Sequence, residues 1–338
     1  MMQSRNKGLI AGAGIAVAAL VVLMSAGDAL AQKKVLVVGG ASGGGVVGAA
    51  TSGIAKVISQ HAALRIRVRN YSNPEAWLPE LDNGRLDLGT HFSATAYLAY
   101  NQIDTKLKLK NLRLLRSSAA IVPLGFMVRK DSGIKSIADL RGKRVGGGYA
   151  AHPIMRRLSG GMMETYGISW SDVRMVPMTE AVAGARALID GRVDAAWFAV
   201  FAPITREAHS RIGVRFLPIE WTPERLKFAR TKIFPGVMPL TMRGNPPWAP
   251  KGTKLLSQEY YVMASATSDA ASVRTVLETL WDHYEDVRKI HPVLRGFVNG
   301  AAVSKRPMIP YHPSAIAFYK EKGVWNAAAD AANAAVAK

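Results

Sequence analysis

The amino-acid sequence predicts an α/β protein made of two similar units, each a mainly parallel sheet flanked by helices. Three observations carry this. Strands and helical segments alternate along most of the chain, the pattern of sheets covered on both faces. A strand running into a Gly-rich loop occurs twice, residues 35–38 before 39–45 and residues 143–145 before 146–148. Finally, Asn83-Gly84-Arg85-Leu86-Asp87 is echoed by Asp190-Gly191-Arg192-Val193-Asp194, in each case where a capped helix passes into a strand. One α/β unit used twice produces such an echo.

Taken in order, the chain opens with Arg5 and Lys7, then an uncharged apolar run over residues 8–27, then Ala29-Leu30-Ala31. A basic start, an apolar core and a small-x-small end read as a signal peptide over residues 1–31, placing the mature protein in the periplasm. The run is long, so a retained membrane anchor is the alternative; its many Gly and Ala residues make it a poor span. The first strand and its loop follow, then helical spacing at Ile54, Val57 and Ile58, and a strand near residues 64–68. Asn73, Pro74 and Glu75 are a good helix start, Trp77, Leu78 and Leu81 its apolar face, and Gly84 its end. Residues 85–89 read as the next strand. Ser136 and Asp139 form a capping box, with Asp replacing the usual Glu or Gln. Thr179 is expected to cap a helix bearing Val182, Ala185, Leu188 and Ile189, after which residues 192–198 form a strand. The C-terminal third is more helical, with Val273, Val276, Leu277, Leu280 and Trp281 at helical spacing; residues 326–338 are Ala-rich and read as a fraying helix or loose tail.

Charge and composition narrow the function. With 44 Lys and Arg against 24 Asp and Glu, the formal net charge is +20, which favours anionic partners. The basic residues are scattered, no aromatic stacking pattern accompanies them and no nucleic-acid motif appears, so nucleic acid is not an expected partner. Cysteine is absent, and the seven histidines show no metal-ligand spacing, so no metal and no cofactor are expected. Gly40-Ala41-Ser42-Gly43-Gly44 matches the G-x-S-x-G nucleophile elbow, making an exported serine hydrolase using Ser42 one alternative. In that fold, however, several strands precede the elbow, whereas Ser42 follows the first strand, and no His or Asp is placed to activate it. Ser132-Gly133-Ile134-Lys135 fits S-x-x-K without its companion motifs.

The non-enzymatic reading is better supported. Ligands of parallel sheets sit beyond the carboxyl ends of strands, beside the first turns of helices. Backbone amides of Ser42, Gly43, Gly44 and Gly45, and of Gly148, Tyr149 and Ala150, are therefore expected to hold an anionic group. Asn70, Ser72, His91, Ser93 and His152 are expected to add hydrogen bonds, and Trp197, Phe198 and Phe201 to form an apolar wall.

The ordered motifs resemble a known family, the TAXI-type solute-binding subunits of TRAP transporters, over nearly the whole chain beyond the leader. The resemblance is carried by the Gly-rich opening, by Asn83-Gly84-Arg85-Leu86-Asp87, and by Leu112-Arg113-Leu114-Leu115. It continues through residues 131–145, ending Asp139-Leu140-Arg141-Gly142-Lys143-Arg144-Val145, and through Asp190-Gly191-Arg192-Val193-Asp194-Ala195-Ala196. The closing His312-Pro313-Ser314-Ala315 is its most diagnostic piece. What it implies is the type II periplasmic binding protein fold, with lobe 1 from residues 32–122 and 260–338, lobe 2 from 123–259, and two hinge strands joining them around a cleft. It also implies a monomer that captures a small organic anion (a carboxylate, dicarboxylate or amino-acid-like solute) for an integral membrane TRAP permease. Three segments depart from the family: Val46-Val47-Gly48 stands where paired tyrosines are frequent, Tyr149-Ala150-Ala151-His152 replaces a Gly-Ser-Gly-Thr-like turn, and Thr90-His91-Phe92-Ser93 replaces more polar residues. A sensor or protein-interaction receptor without a transport role is the remaining alternative.

Overall fold

In the computed structural model, which describes residues 34–41, 46–104, 107–119, 122–150 and 152–337, the two sequence repeats become two β-sheets. The expected signal peptide at residues 1–31 and the loop Ser42, Gly43, Gly44 and Gly45 lie outside the described residues. One sheet contains β1 (Lys34–Ala41), β2 (Leu64–Tyr71), β3 (Leu88–Phe92), β4 (Leu112–Arg116) and β12 (Tyr260–Ser265), in the order β2-β1-β3-β12-β4. The other contains β5 (Leu124–Arg129), β6 (Arg144–Gly148), β7 (Arg174–Met178), β8 (Ala195–Ala199), β10 (Met238–Thr241) and β11 (Lys254–Ser257), in the order β10-β11-β5-β8-β6-β7. A short β9 (Val214–Phe216) pairs with β5.

The halves share a plan. Strands β2-β1-β3 and β7-β6-β8 occupy matching places, and in each half the next neighbour, β12 or β5, runs antiparallel. The helices that connect the first trio are α1 (Val46–His61) and α2 (Pro74–Asp82); α4 (Pro153–Glu164) and α5 (Ala181–Ile189) connect the second. The remaining helices are α3 (Ser93–Tyr100), α6 (Pro203–Ile212), α7 (Pro223–Phe228), α8 (Ala270–Asp282), α9 (Tyr284–Ile290), α10 (Pro313–Glu321) and α11 (Ala327–Val336). The sheets are thus mixed rather than mainly parallel. Among the described strands, parallel pairing lies within the repeated trios, where a crossover helix returns the chain; an isolated parallel bridge joins Leu114 to Tyr311. Strands that enter a half from the other one arrive without such a helix and run the opposite way. The chain passes between the sheets twice, through residues 117–123 and 258–259.

The repeated Gly-Arg-x-Asp segment performs one structural task in both halves. Gly84 and Gly191 take the same left-handed backbone, φ 71°, that ends a helix without a Cβ penalty. The Asp that follows then locks the first strand: Asp87 N–H donates to Val37 O at 3.0 Å while its Oδ2 accepts from Val37 N–H at 2.7 Å. Asp194 repeats this against Arg144, at 2.7 and 2.8 Å. Because Asp87 and Asp194 are occupied in this way, the strands begin later than the sequence suggests, at Leu88 and Ala195.

Trp77 explains another local choice. It is fully buried on β1 and β3, where Gly39 and Gly89 are register partners. A Cβ on Gly89 would lie 2.3 Å from its ring, so the indole fits only over this glycine pair. Helix α2 carries Trp77, Leu78 and Leu81 inward, with Asn73 Oδ1 accepting from Ala76 N–H at 3.0 Å. Of the two readings of the C-terminal segment the helix holds, and it is docked rather than fraying. Asn326 caps α11, Trp325 Nε1–H donates to Asp330 at 2.7 Å, and Asn333 Oδ1 accepts from Tyr311 N–H at 2.8 Å. Among the described residues, no helix is long and apolar enough to cross a membrane.

Candidate functional site

Both halves contribute to one cavity of about 430 Å³, floored at the crossings by Leu124 and Gln258. It lies beyond the carboxyl ends of the parallel strands: Ala41 ends β1, Phe92 ends β3, and Phe198 and Ala199 end β8. That is where α/β sheets hold ligands.

Helix starts surround it. Val46 and Val47 open α1, Phe92 is the N-cap of α3, and His152 that of α4, with Ile154 and Met155 in the first turn. Glu180 caps α5 ahead of Ala181, Val182 and Ala183, and Ala202 caps α6. Five helices therefore present their N-terminal residues to the same space. First-turn N–H groups lack intrahelical partners and carry the positive end of the helix dipole, so the site favours negative charge. The expected cap of α5 shifts from Thr179 to Glu180, whose side chain makes no capping bond and lines the cavity instead.

Two histidines give the site its polar character. His91, on β3, is 4% exposed, between Trp77 and the Phe92 ring, 5.3 Å away edge-on. Burial, reinforced by the neighbouring His152, pushes it down to about 3. Burial alone brings His152 down to about 4. Both rings are therefore neutral at physiological pH, and Nδ1 of each has no hydrogen-bond partner among the described residues. A neutral imidazole nitrogen donates or accepts according to tautomer, so the pair can adapt to either polarity in a bound solute. Gln258 is anchored by its Oε1, which accepts from Ala94 N–H at 3.1 Å, leaving its amide NH2 as a donor. Arg186, on α5, is the cation on the wall and joins no ion pair among the described residues; Glu180 stands one and a half turns before it. Apart from Ser72, the rest of the lining is Ala, Val, Leu, Ile, Met and Phe. An apolar chamber of this size with few polar groups is the usual form of a small-molecule site.

The sequence-predicted site residues divide clearly. Ser72, His91, His152 and Phe198 line the cavity. Asn70 does not: it is exposed on edge strand β2. Ser93 is buried in the first turn of α3, its N–H donating to Glu259 O at 2.9 Å. Trp197 faces away from Phe198, as alternation along a strand requires, and packs edge-on against Phe126 at 5.1 Å. Phe201 is half-buried beside His291. Gly148, Tyr149 and Ala150 line a separate groove with Arg156 and Arg157. The turn there has positive φ at both Gly148 (76°) and Tyr149 (43°), which drives the Tyr149 ring into the core beneath Gly184. Residues missed by sequence reasoning include Glu180, Ala181, Val182, Ala183, Arg186 and Gln258. The start of α5 was visible as the helix that leads into the second repeat at Asp190, and that position was the available signal.

The structure also groups His61, His283 and Asp286 on the surface, with the two imidazoles stacked 3.7 Å apart and Asp286 shared with Lys289. The histidines are distant in sequence, so spacing could not reveal them.

The arrangement is an α/β fold of two mixed sheets with one cavity at the ends of their parallel strands. The chain belongs to the NMT1-like family, whose model matches residues 38–323. Among solved structures, one described as a periplasmic transporter shares the fold with a TM-score of 0.56 at 13% identity, covering 88% of this chain and 96% of that one. Two more distant matches are the periplasmic aliphatic sulphonate binding protein SsuA of Escherichia coli (TM-score 0.46, 16% identity, 90% and 94% covered) and an L-cystine ABC transporter protein of Listeria monocytogenes (0.47, 15%, 80% and 98%).

Proposed function

We propose that this protein is a periplasmic receptor that captures a small organic anion, a carboxylate or amino-acid-like solute, and delivers it to a TRAP-type membrane permease. The observation that carries the reading is the convergence of five helix N-termini and Arg186, which has no ion-pair partner among the described residues, on one apolar cavity. Carboxylate oxygens take the helix N–H groups and the Arg186 guanidinium, and the apolar walls take the solute's carbon body. An amino acid would place its ammonium near Glu180; a simple carboxylate would leave Glu180 in water. Residues 32–122 with 260–338 and residues 123–259 act as the two lobes, closing because a bound solute touches both. Export by a cleaved leader over residues 1–31 belongs to the same proposal, and N-terminal sequencing of the mature protein should begin at Gln32.

The test is thermal stabilisation of the folded protein by a panel of monocarboxylates, dicarboxylates and amino acids. A ligand at one hundred times its Kd should add about 2.7 kcal/mol. Absence of stabilisation across the panel would sink the receptor reading. Permease type is tested separately: uptake should collapse when the ion gradient is dissipated, whereas dependence on ATP alone would assign a different transporter.

A further inference from the structure

The segment at residues 258–259 has two faces. Gln258 floors the cavity described above, and Glu259 lines a second cavity, of about 330 Å³, on the other side of the crossings. Its walls again come from both halves: Arg230 from the segment after α7, Lys305 and Arg306 from the C-terminal region, and Ser118 from the first crossing.

The two guanidiniums are tethered to one loop. Arg230 Nε donates to Val237 O at 3.1 Å and Arg306 Nη1 to Pro235 O at 3.3 Å. Neither they nor Lys305 form an ion pair among the described residues. Burial and the charge of Arg306 push Arg230 below its ordinary value, as like charges held together in a recess must. The one carboxyl in the lining offsets them only in part. Glu259 accepts from the Ser304 hydroxyl at 2.8 Å and the Tyr261 hydroxyl at 3.0 Å; burial raises it to about 7, against the opposing pull of those hydroxyls and of the Arg306 charge. Three cationic side chains thus face a recess too small for a folded partner, with at most one partly ionised acid.

We propose that this hinge cavity is a second anion site, taking a compact oxyanion of the phosphate class between Arg230, Lys305 and Arg306. Guanidinium groups match tetrahedral oxyanions with paired N–H donors, and Lys305 adds a mobile point charge. Because the cations come from both halves, the occupant also ties the halves together behind the solute cavity.

The experiment is titration of the full protein with inorganic phosphate, read as thermal stabilisation against sodium chloride of equal ionic strength. Phosphate should raise Tm well beyond the chloride control. Arg306→Gln should weaken the phosphate response at least tenfold, and it should raise Tm in phosphate-free buffer by removing the repulsion. Lys305→Gln, an exposed change that leaves folding intact, should weaken it severalfold, while Arg186→Gln should leave it unchanged. A phosphate effect equal to that of chloride overturns the site. So does a response abolished by Arg186→Gln but insensitive to Arg306→Gln and Lys305→Gln, because phosphate would then occupy the solute cavity. A recess that ignores phosphate, and whose Arg306→Gln variant loses association with a membrane permease, would be a docking surface, and the small-anion assignment would fail.

Discussion

The two cavities on either side of residues 258–259 handle charge in opposite ways. The solute cavity keeps its titratable rings neutral: His91 and His152 are buried without a proton, and negative charge is invited by helix N-termini and one arginine. The hinge cavity instead gathers three full cations against one partly ionised acid. Dipoles and neutral donors act over a short range and reward shape, whereas clustered cations attract any compact anion. The difference teaches that selectivity belongs in front of the hinge and charge capture behind it.

The largest effect should come from filling the solute cavity. Ala183 lies half-buried in the first turn of α5, facing that space. Ala183→Trp should cost any solute at least about a hundredfold in affinity, about 2.8 kcal/mol. The phosphate response of the hinge should persist in the same variant, and calorimetry with both ligands reads the two together. Loss of both would mean that the cavities are not independent. Next in size is Arg186→Gln. Removing the cation from an apolar wall should weaken carboxylate binding by roughly tenfold to a hundredfold, 1.4–2.8 kcal/mol. An unchanged affinity would transfer the anion contact entirely to the helix N-termini.

Sequence reasoning reached the scaffold further than the pocket, for physical reasons. The Gly-Arg-x-Asp echo was visible because helix ending and strand locking are local, and they demand the same residue types wherever they occur. Gly84 and Gly191 need φ above zero, and Asp87 and Asp194 need a short acceptor. The cavity wall depends on side-chain direction and on which helix starts meet across the two sheets. Trp197 and Phe198 look equivalent in sequence, but strand alternation sends one to Phe126 and the other to the cavity. Tyr149 lies in a Gly-rich turn that suggested a ligand loop, yet its positive φ folds the ring inward. Gln258 and Arg186 carry no motif at all. The docked α11 was hidden for a similar reason, since its anchors Trp325 and Asn333 become meaningful only beside Tyr311 and Asp330.

The pH dependence of stability should carry both signatures with opposite signs. His91 and His152 have lowered values in the folded state, so their contribution is complete above 6.5 and is lost as pH falls towards 4. Glu259 is raised to about 7 from 4.5, so its contribution is complete below 4.5 and is lost as pH rises through 7. Between pH 5 and 6 two histidines outweigh one carboxyl, so stability should climb with pH and level off near 7, where the two contributions cancel. His152→Gln should flatten the climb, and Glu259→Gln should steepen it. Melting curves from pH 5 to 8 check this, and a climb unmoved by either change would detach these groups from it.

The smallest effect concerns what holds the halves against each other in the absence of solute. Asp104, just after α3, accepts from Arg157 on α4 at 2.7 Å, and Arg157 Nε also donates to Ile233 O at 2.6 Å. The pair reaches from one half to the other, but it is exposed enough for water and salt to compete, with the Asp104 side chain 48% accessible. Such pairs contribute about 0.2–1 kcal/mol. If solute contacts drive closure, Asp104→Asn should lower solute affinity by no more than about fivefold, and less in high salt. The apolar contact between the α4 start and Leu98, Ile103 and Leu107 should retain the closed arrangement. The hinge cavity should respond to phosphate as before, because its cations do not touch this pair. A loss of tenfold or more in Asp104→Asn would reverse the ranking, making an ionic latch rather than the solute the element that decides how long the cleft stays shut.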